Sequence, residues 1–318
     1  MQNENIEQAP EGVYVSVDAL LKLRHLAKDI SLQTNKKSTA LMDGDSRTSF
    51  RGRGMEFAEV RPYQAGDDIR NIDWRVTART QKPYTKLFQE ERERPVYILV
   101  DQRSPMFFGS VAQFKSVFAA KLATIVSWAA MQNNDRIGAL IFSDKDQTDS
   151  RPRRGKHAAL GIIHDLVAFN QQLKSPNNAS ENSMAEMLQV IRRVAKPGSA
   201  VFVISDFHDF SEDCEEPLAV LARHCNVTAL HVYDALEQQL PSHHFLTVTD
   251  GQHRLNIAGQ SQHFSQRYKA NFADLRSQLK TVCNQYAVNF ASLSVEESLS
   301  SLVQDLFCSR RQRKTRGR

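Results

Sequence analysis

Cysteine is scarce in this chain, with four in 318 residues (Cys214, Cys225, Cys283 and Cys308), no Cys-x-x-Cys pair and no histidine at zinc-ligand spacing. Disulfide frameworks and structural zinc sites need such pairing, so neither is expected, and reduced thiols in a cytoplasmic protein fit best. Long apolar runs are missing too. The most apolar stretch, Val117 to Met131, contains Lys121 and is shorter than the about 20 residues that a membrane-spanning helix requires. The N-terminus carries Glu4, Glu7 and Glu11 and no apolar signal-peptide core, so no secretory leader is expected. No phosphate-binding G-x-x-x-x-G-K-[ST] loop and no G-x-S-x-G nucleophile elbow occurs. The histidines are scattered, and His208, His243 and His244 read as loop or surface residues.

What is present is ordinary globular material: 41% hydrophobic and 24% charged residues, enough for one large or two moderate domains. The net charge of +5 suggests nucleic acid until its position is read. Six basic side chains and no acid lie between Arg310 and Arg318, which leaves the rest of the chain close to neutral. Binding to nucleic acid or an anionic membrane is therefore expected only through that tail.

A helix is predicted over Val17 to Leu32, capped by Asp18, followed by a polar linker from Asn35 to Ser49. Phe50 to Arg94 mixes arginines and carboxylates with Gly52, Gly54, Pro62, Gly66 and Pro83, the texture of short strands and turns. Here Ile72, Trp74 and Val76 alternate with polar residues as a half-buried strand does, and Trp74 is read as packed core. From Pro95 strands alternate with helices. Strands are predicted at Val96–Val100, Ile137–Phe142, Ala200–Ser205, Val227–Val232 and Val288–Leu293, with a hairpin at Phe245–Asn256. Helices are predicted at Phe114–Met131, Lys156–Leu173, Ser183–Lys196, Pro217–His224, Ser261–Tyr286 and Val295–Phe307. The fold class this implies is α/β, a doubly wound, mainly parallel sheet. The expected division is an N-terminal helix, linker and Arg-rich β segment (1–95), an α/β domain (96–308) and a basic tail (309–318).

Two of these strands run into an aspartate, Asp101 and Asp206. Ligands of open parallel sheets bind beyond the carboxyl ends of the strands, so neighbouring strands would bring both carboxylates to one rim. There they would hold a divalent cation, act as acid and base, or cap the following turn.

The run Arg51-Gly-Arg-Gly-Met-Glu-Phe-Ala-Glu-Val-Arg-Pro-Tyr-Gln-Ala-Gly-Asp-Asp-Ile-Arg-Asn-Ile-Asp-Trp-Arg-Val-Thr-Ala-Arg79 resembles the signature of the bacterial family catalogued as domain of unknown function 58. Its charged and turn-forming positions are Arg51, Arg53, Glu56, Glu59, Arg61, Gly66, Asp67, Asp68, Arg70, Asp73, Arg75 and Arg79, with Trp74 among them. The resemblance continues through Phe88 to Arg94 into the strand that ends at Asp101. It implies a von Willebrand factor A-like fold and a non-enzymatic scaffold or adaptor. It also implies partnership with a MoxR-type AAA+ ATPase and other von Willebrand factor A proteins in assembly or maturation of other proteins, with no small-molecule substrate.

The resemblance further implies a metal-ion-dependent adhesion site written Asp-x-Ser-x-Ser, completed by a hydroxyl from a middle loop and by a later aspartate. This chain reads Asp101-Gln102-Arg103-Ser104-Pro105 instead, so an arginine and a proline stand where the serines belong and Ser104 is out of register. Arginine has no acceptor atom and proline no side-chain oxygen. The middle loop is read as Arg151 to His157, with Lys156 or His157 near the expected threonine. Only Asp101 and Asp206 remain, so no cofactor is expected beyond weak Mg²⁺ or Mn²⁺ binding. Arg103, and Lys156 with it, are read as cations that replace the metal by pairing with Asp101 or Asp206. A rim of Arg103, Arg151, Arg153, Arg154 and Lys156 would then receive an acidic partner loop. Two other readings stay open: a metal-dependent hydrolase or nuclease using Asp67, Asp68, Asp73 or Asp101, and binding through the basic tail.

Overall fold

The computed structural model describes residues 12–28, 30, 32, 55–90, 95–172, 181–240, 245–249, 254–258 and 262–307. Arg51, Arg53, the linker at 35–49, Cys308 and the basic tail lie outside them, as do the side chains of Glu56 and Glu59. The chain forms two compact units, one of residues 1–34 with 94–318 and a smaller one of residues 35–93.

Helix α1 (Val17–Lys22) is shorter than its sequence pattern and passes into a 3-10 turn at Leu23–His25. Its cap is Ser16, whose hydroxyl accepts from the Ala19 amide, and not Asp18. The helix belongs with the larger unit and not with the Arg-rich segment with which the sequence boundary at 95 grouped it. Leu20 and Ala27 are fully buried in that unit's core.

The small unit is an antiparallel pair, β1 (Met55–Pro62) and β2 (Tyr84–Glu90), with helix α2 (Trp74–Thr80) between them in sequence. The strand expected around Ile72, Trp74 and Val76 is therefore corrected to a helix start. The Asp73 carboxylate accepts from the Arg75 and Val76 amides, a helix cap that overrides the alternating pattern. Trp74 is 66% exposed, so its reading as core is also overturned.

The large unit is built on six strands in the order β10-β7-β6-β3-β4-β5. These are β3 (Pro95–Asp101), β4 (Arg136–Phe142), β5 (Gln147–Arg153), β6 (Ala200–Ser205), β7 (Asn226–Tyr233) and β10 (Asn289–Ser294). All pair in parallel except β5, which runs antiparallel to β4. The central strands are continuous apolar runs because helices cover both faces. Against one face pack α3 (Lys115–Gln132), α4 (Lys156–Gln172) and α9 (Leu299–Phe307); against the other pack α5 (Met184–Val194), α6 (Glu215–His224) and α8 (Gln262–Gln285). A single turn, α7 (Ala235–Gln238), follows β7, and β8 (Phe245–Thr249) pairs antiparallel with β9 (Arg254–Ala258) as the expected hairpin, whose turn lies outside the described residues. The mainly parallel, doubly wound α/β class read from the sequence is the class observed. β5 was not anticipated: Gln-Thr-Asp-Ser-Arg-Pro-Arg has no apolar residue except Pro152, and only an edge position lets such a strand form.

Candidate functional site

β3 lies beside β6, with Val100 opposite Ile204, so Asp101 and Asp206 leave the sheet at the same rim. Carboxylate and imidazole atoms of Asp101, Asp206 and His208 lie within 4.8 Å of one another. The turn after β6 makes this possible: Phe207 adopts φ +53°, and the Phe207 amide donates to the Ser205 hydroxyl.

Two buried cations fill the space between the carboxylates. Arg103, 1% exposed, turns back onto the strand it follows. Its Nε donates to Asp101 Oδ1 at 3.0 Å and its Nη2 to Asp101 Oδ2 at 2.7 Å. Nη1 and Nη2 donate to the two Asp209 oxygens at 2.6 and 2.9 Å, and Nη1 also to the Asn182 carbonyl at 3.2 Å. All five guanidinium donors are thus used, and the group stacks on the Phe142 ring at 5.1 Å. Asp101 is equally saturated: Oδ1 also accepts from the Arg103 amide and Oδ2 from the Ser205 hydroxyl.

The second cation is Lys115, also 1% exposed. Its Nζ donates to Asp206 Oδ2 at 2.7 Å and to Glu237 Oε1 at 2.5 Å. Asp206 Oδ1 accepts from the amide and ring Nδ1 of His208. Burial works against the charge on Arg103 and Lys115, yet the carboxylates beside them hold both above their ordinary values. Burial would raise Asp206, but the Lys115 ammonium and the His208 ring together outweigh it and hold the carboxyl well below the usual range. Burial works to lower His208, but its bond to Asp206 and the charges of Asp206 and Asp209 together raise it, whereas burial raises Glu237 against the pull of Lys115.

A divalent cation does not fit this donor set. The four acceptor positions of Asp101 are taken, and any ion would meet two fixed positive charges. Ser104 is turned away, its amide and hydroxyl both bonding Asp144.

Arg103 thus pairs with Asp101 and Asp209, but the other basic residues of the expected rim are elsewhere. Arg153 pairs with Ile137 at the start of β4, while Asp101 sits beside Phe142 at its end. Arg151, Arg153, Arg154 and Lys156 consequently stand at the opposite end of the sheet, a strand length of about 20 Å away. The middle segment that reaches the site is 181–183: Asn182 supplies a carbonyl to Arg103, and the Met184 amide donates to Asp209. The partly exposed titratable groups at the rim are the carboxylates Asp209 and Glu237 and the His208 imidazole, so the expected face of arginines and lysines is not found there.

Lys115 was not singled out in the sequence, although a signal existed. A lysine at the first position of a helix whose following residues are apolar opposes the helix dipole unless a carboxylate compensates it. The loop that delivers it, residues 107–114, is braced at both ends. The Phe114 amide donates to the Gly12 carbonyl, and the Ser110 amide and hydroxyl bond Asp234 at the end of β7. Its tip is apolar and outward, with Val111 79% and Phe108 36% exposed.

In the small unit the carboxylates proposed as a hydrolytic cluster are each used locally. Asp67 pairs with Arg61 at 2.7 Å and accepts from the Gln64 amide, Asp68 accepts from the Arg70 amide, and Asp73 caps α2 and lies 3.6 Å from Lys86. Gly66 takes φ +110° in the turn that places Asp67. Arg70, Arg75 and Arg79 are exposed. Among the described residues these aspartates form no shared metal-ligand group.

The family model described as "Protein of unknown function DUF58" matches residues 59–278. The chain belongs to this family. Uncharacterized proteins from Mycobacterium bovis and Mycobacterium tuberculosis are 28% identical over 220 residues, covering 69% of this chain and 68% of theirs. Among solved structures, the conserved hypothetical protein BatB from Bacteroides thetaiotaomicron aligns at 14% identity with a TM-score of 0.40, covering 67% of this chain and 96% of that one. The SpRpn10 VWA domain aligns at 12% identity with a TM-score of 0.35, covering 67% and 94%. The family matched is the one that the Arg51–Arg79 signature resembles, and the sheet is of the mainly parallel α/β class expected. No helix among the described residues is long and apolar enough to cross a membrane.

Proposed function

We propose that this member of the DUF58 family is a non-enzymatic, cytoplasmic interaction scaffold that works with a MoxR-type AAA+ ATPase in assembling or maturing other proteins. Its adhesion-type rim is held by internal cations in place of a metal. The observation that carries this reading is the pair of buried locks, Arg103 on Asp101 and Lys115 on Asp206, at the position where the family pattern puts the ion. A rim fixed this way needs no ion to become competent. It presents Phe108 against Lys115 and the partly exposed Glu237, with Val111 exposed on the same loop, an apolar contact with a polar border of the kind protein partners use. The exposed Trp74 and Ile69 of the small unit offer a second contact of the same chemistry.

The test is capture of the ATPase by the full chain with ATP, ADP or no nucleotide, beside titration calorimetry with Mg²⁺ and Mn²⁺. Nucleotide-sensitive capture is expected, weakened about tenfold by Val111→Glu, which corresponds to about 1.4 kcal/mol. Calorimetry is expected to show no metal heat. Association in no nucleotide state, or tight Mg²⁺ binding abolished by Asp101→Ala, sinks the reading.

A further inference from the structure

Helix α8 and strand β10 line an open trough of about 460 Å³, within the range of about 300–1,000 Å³ that ligand sites occupy. From α8 it is lined by Lys269, Phe272, Arg276 and Lys280, and from β10 by Phe290 and Ser292. The helix residues fall at steps of three, four and seven, so they form one stripe along α8. The adjoining stripe, Leu275, Leu279, Val282 and Cys283, packs into the core, which fixes the basic stripe beside the sheet edge.

Three features of this trough point to one kind of occupant. First, it is charged with one sign: Lys269, Arg276 and Lys280 are exposed, no carboxylate lines the trough, and none of the three forms an ion pair among the described residues. Unbalanced cations there contrast with the rim, where every buried cation is matched. Second, its floor is aromatic. Phe272 and Phe290 pack around His231 at 6.0 and 6.3 Å, and burial pushes that imidazole down to about 4, so at neutral pH the floor is uncharged. Third, β10 is the last strand of the sheet. It pairs with β7 on one side and with no described strand on the other, and Asn289 to Ser292 are only half-buried. An unpaired edge of this kind is a template for an added strand.

We propose that this trough is a docking site for an acidic, extended segment of a partner protein. The segment adds to the sheet beside β10 and sets alternate carboxylates against Lys269, Arg276 and Lys280. Backbone pairing to β10 supplies an anchor, and the two-residue strand period delivers every second side chain, the carboxylates, to the helix. None of its lining side chains belongs to the Arg103 or Lys115 ion pairs, so its test can fail without the scaffold reading failing.

The experiment uses the full chain and a fluorescein-labelled peptide of four Glu-Val repeats, followed by fluorescence anisotropy. Saturable binding is expected, weakened at least tenfold by the surface variant Arg276→Glu/Lys280→Glu, whose fold is checked by circular dichroism. Binding is expected to fall with added salt and to be lost when alternate peptide nitrogens are methylated. A peptide of Lys-Val repeats is expected not to bind. Absence of saturable binding overturns the proposal, as does binding that the double variant retains. Equal binding of the methylated peptide, or full competition by pyrophosphate at the same concentration as the peptide, also overturns it, since either reduces the trough to a patch for small anions.

Discussion

At the scale of single residues, the chemistry of this rim is decided by hydrogen-bond capacity. Arg103 uses all five donors, its two carboxylate partners lying 2 and 106 residues away in sequence. Removing one member of a buried pair leaves an uncompensated charge, which costs about 3–5 kcal/mol. Arg103→Ala is expected to lose that much in urea unfolding, and Arg103→Lys to recover less than half, because an ammonium has three donors and no planar fork. Lys115→Met is expected to be costly alone and to be largely restored by adding Asp206→Asn, since the neutral pair removes both charges together. His231 gives the pH dependence. Its folded value of about 4 lies below the ordinary 6.5, so between those values the unfolded chain binds more protons. Stability from this group is complete above pH 6.5 and declines as pH falls toward 4, by about 3 kcal/mol in all. Wild type and His231→Asn, compared by urea unfolding at pH 7 and 4.5, should differ in slope with that sign.

At the scale of elements, β5 shows what a close backbone approach demands. A Cβ on Gly138 of β4 would strike the Ser150 carbonyl oxygen and come within 2.9 Å of the Pro152 nitrogen. Glycine is required there because two backbones meet, not because of an unusual φ. Gly138→Ala is expected to cost about 1–3 kcal/mol as overpacking and to speed amide exchange selectively in Gln147 to Arg153. The α2 region teaches the converse. Its alternating Ile72, Trp74 and Val76 satisfied a strand template over a window too short to exclude a helix, and the Asp73 cap decided the outcome.

At the scale of the whole molecule, the N-terminal segment is part of the α/β unit. Leu20, Ala27, Ile30 and Leu32 are buried in its core, and Gly12 braces the loop that carries Val111. Leu20→Ala is expected to lower unfolding stability by about 2–5 kcal/mol. Replacing residues 35–93 with a flexible linker is expected to leave one cooperative transition, because that segment is a compact unit of its own. Loss of cooperativity in that deletion would show the two units to be interdependent.

The sequence by itself determined the alternation of strands and helices, the apolar central strands and the two aspartates at strand ends. These are written in local periodicity and in the residue that follows each apolar run. It also placed Arg103 and Pro105, which have no side-chain acceptor oxygen, where the resemblance implies serines. Which cations fill the site was decided only by the tertiary structure. Arg151 to Lys156 lie near Asp101 in no local sense: the antiparallel return of β5 carries them to the far end of the sheet, while a loop folded over the rim brings Lys115 to an aspartate 91 residues away. Register and loop closure are long-range properties, and no window of sequence contains them.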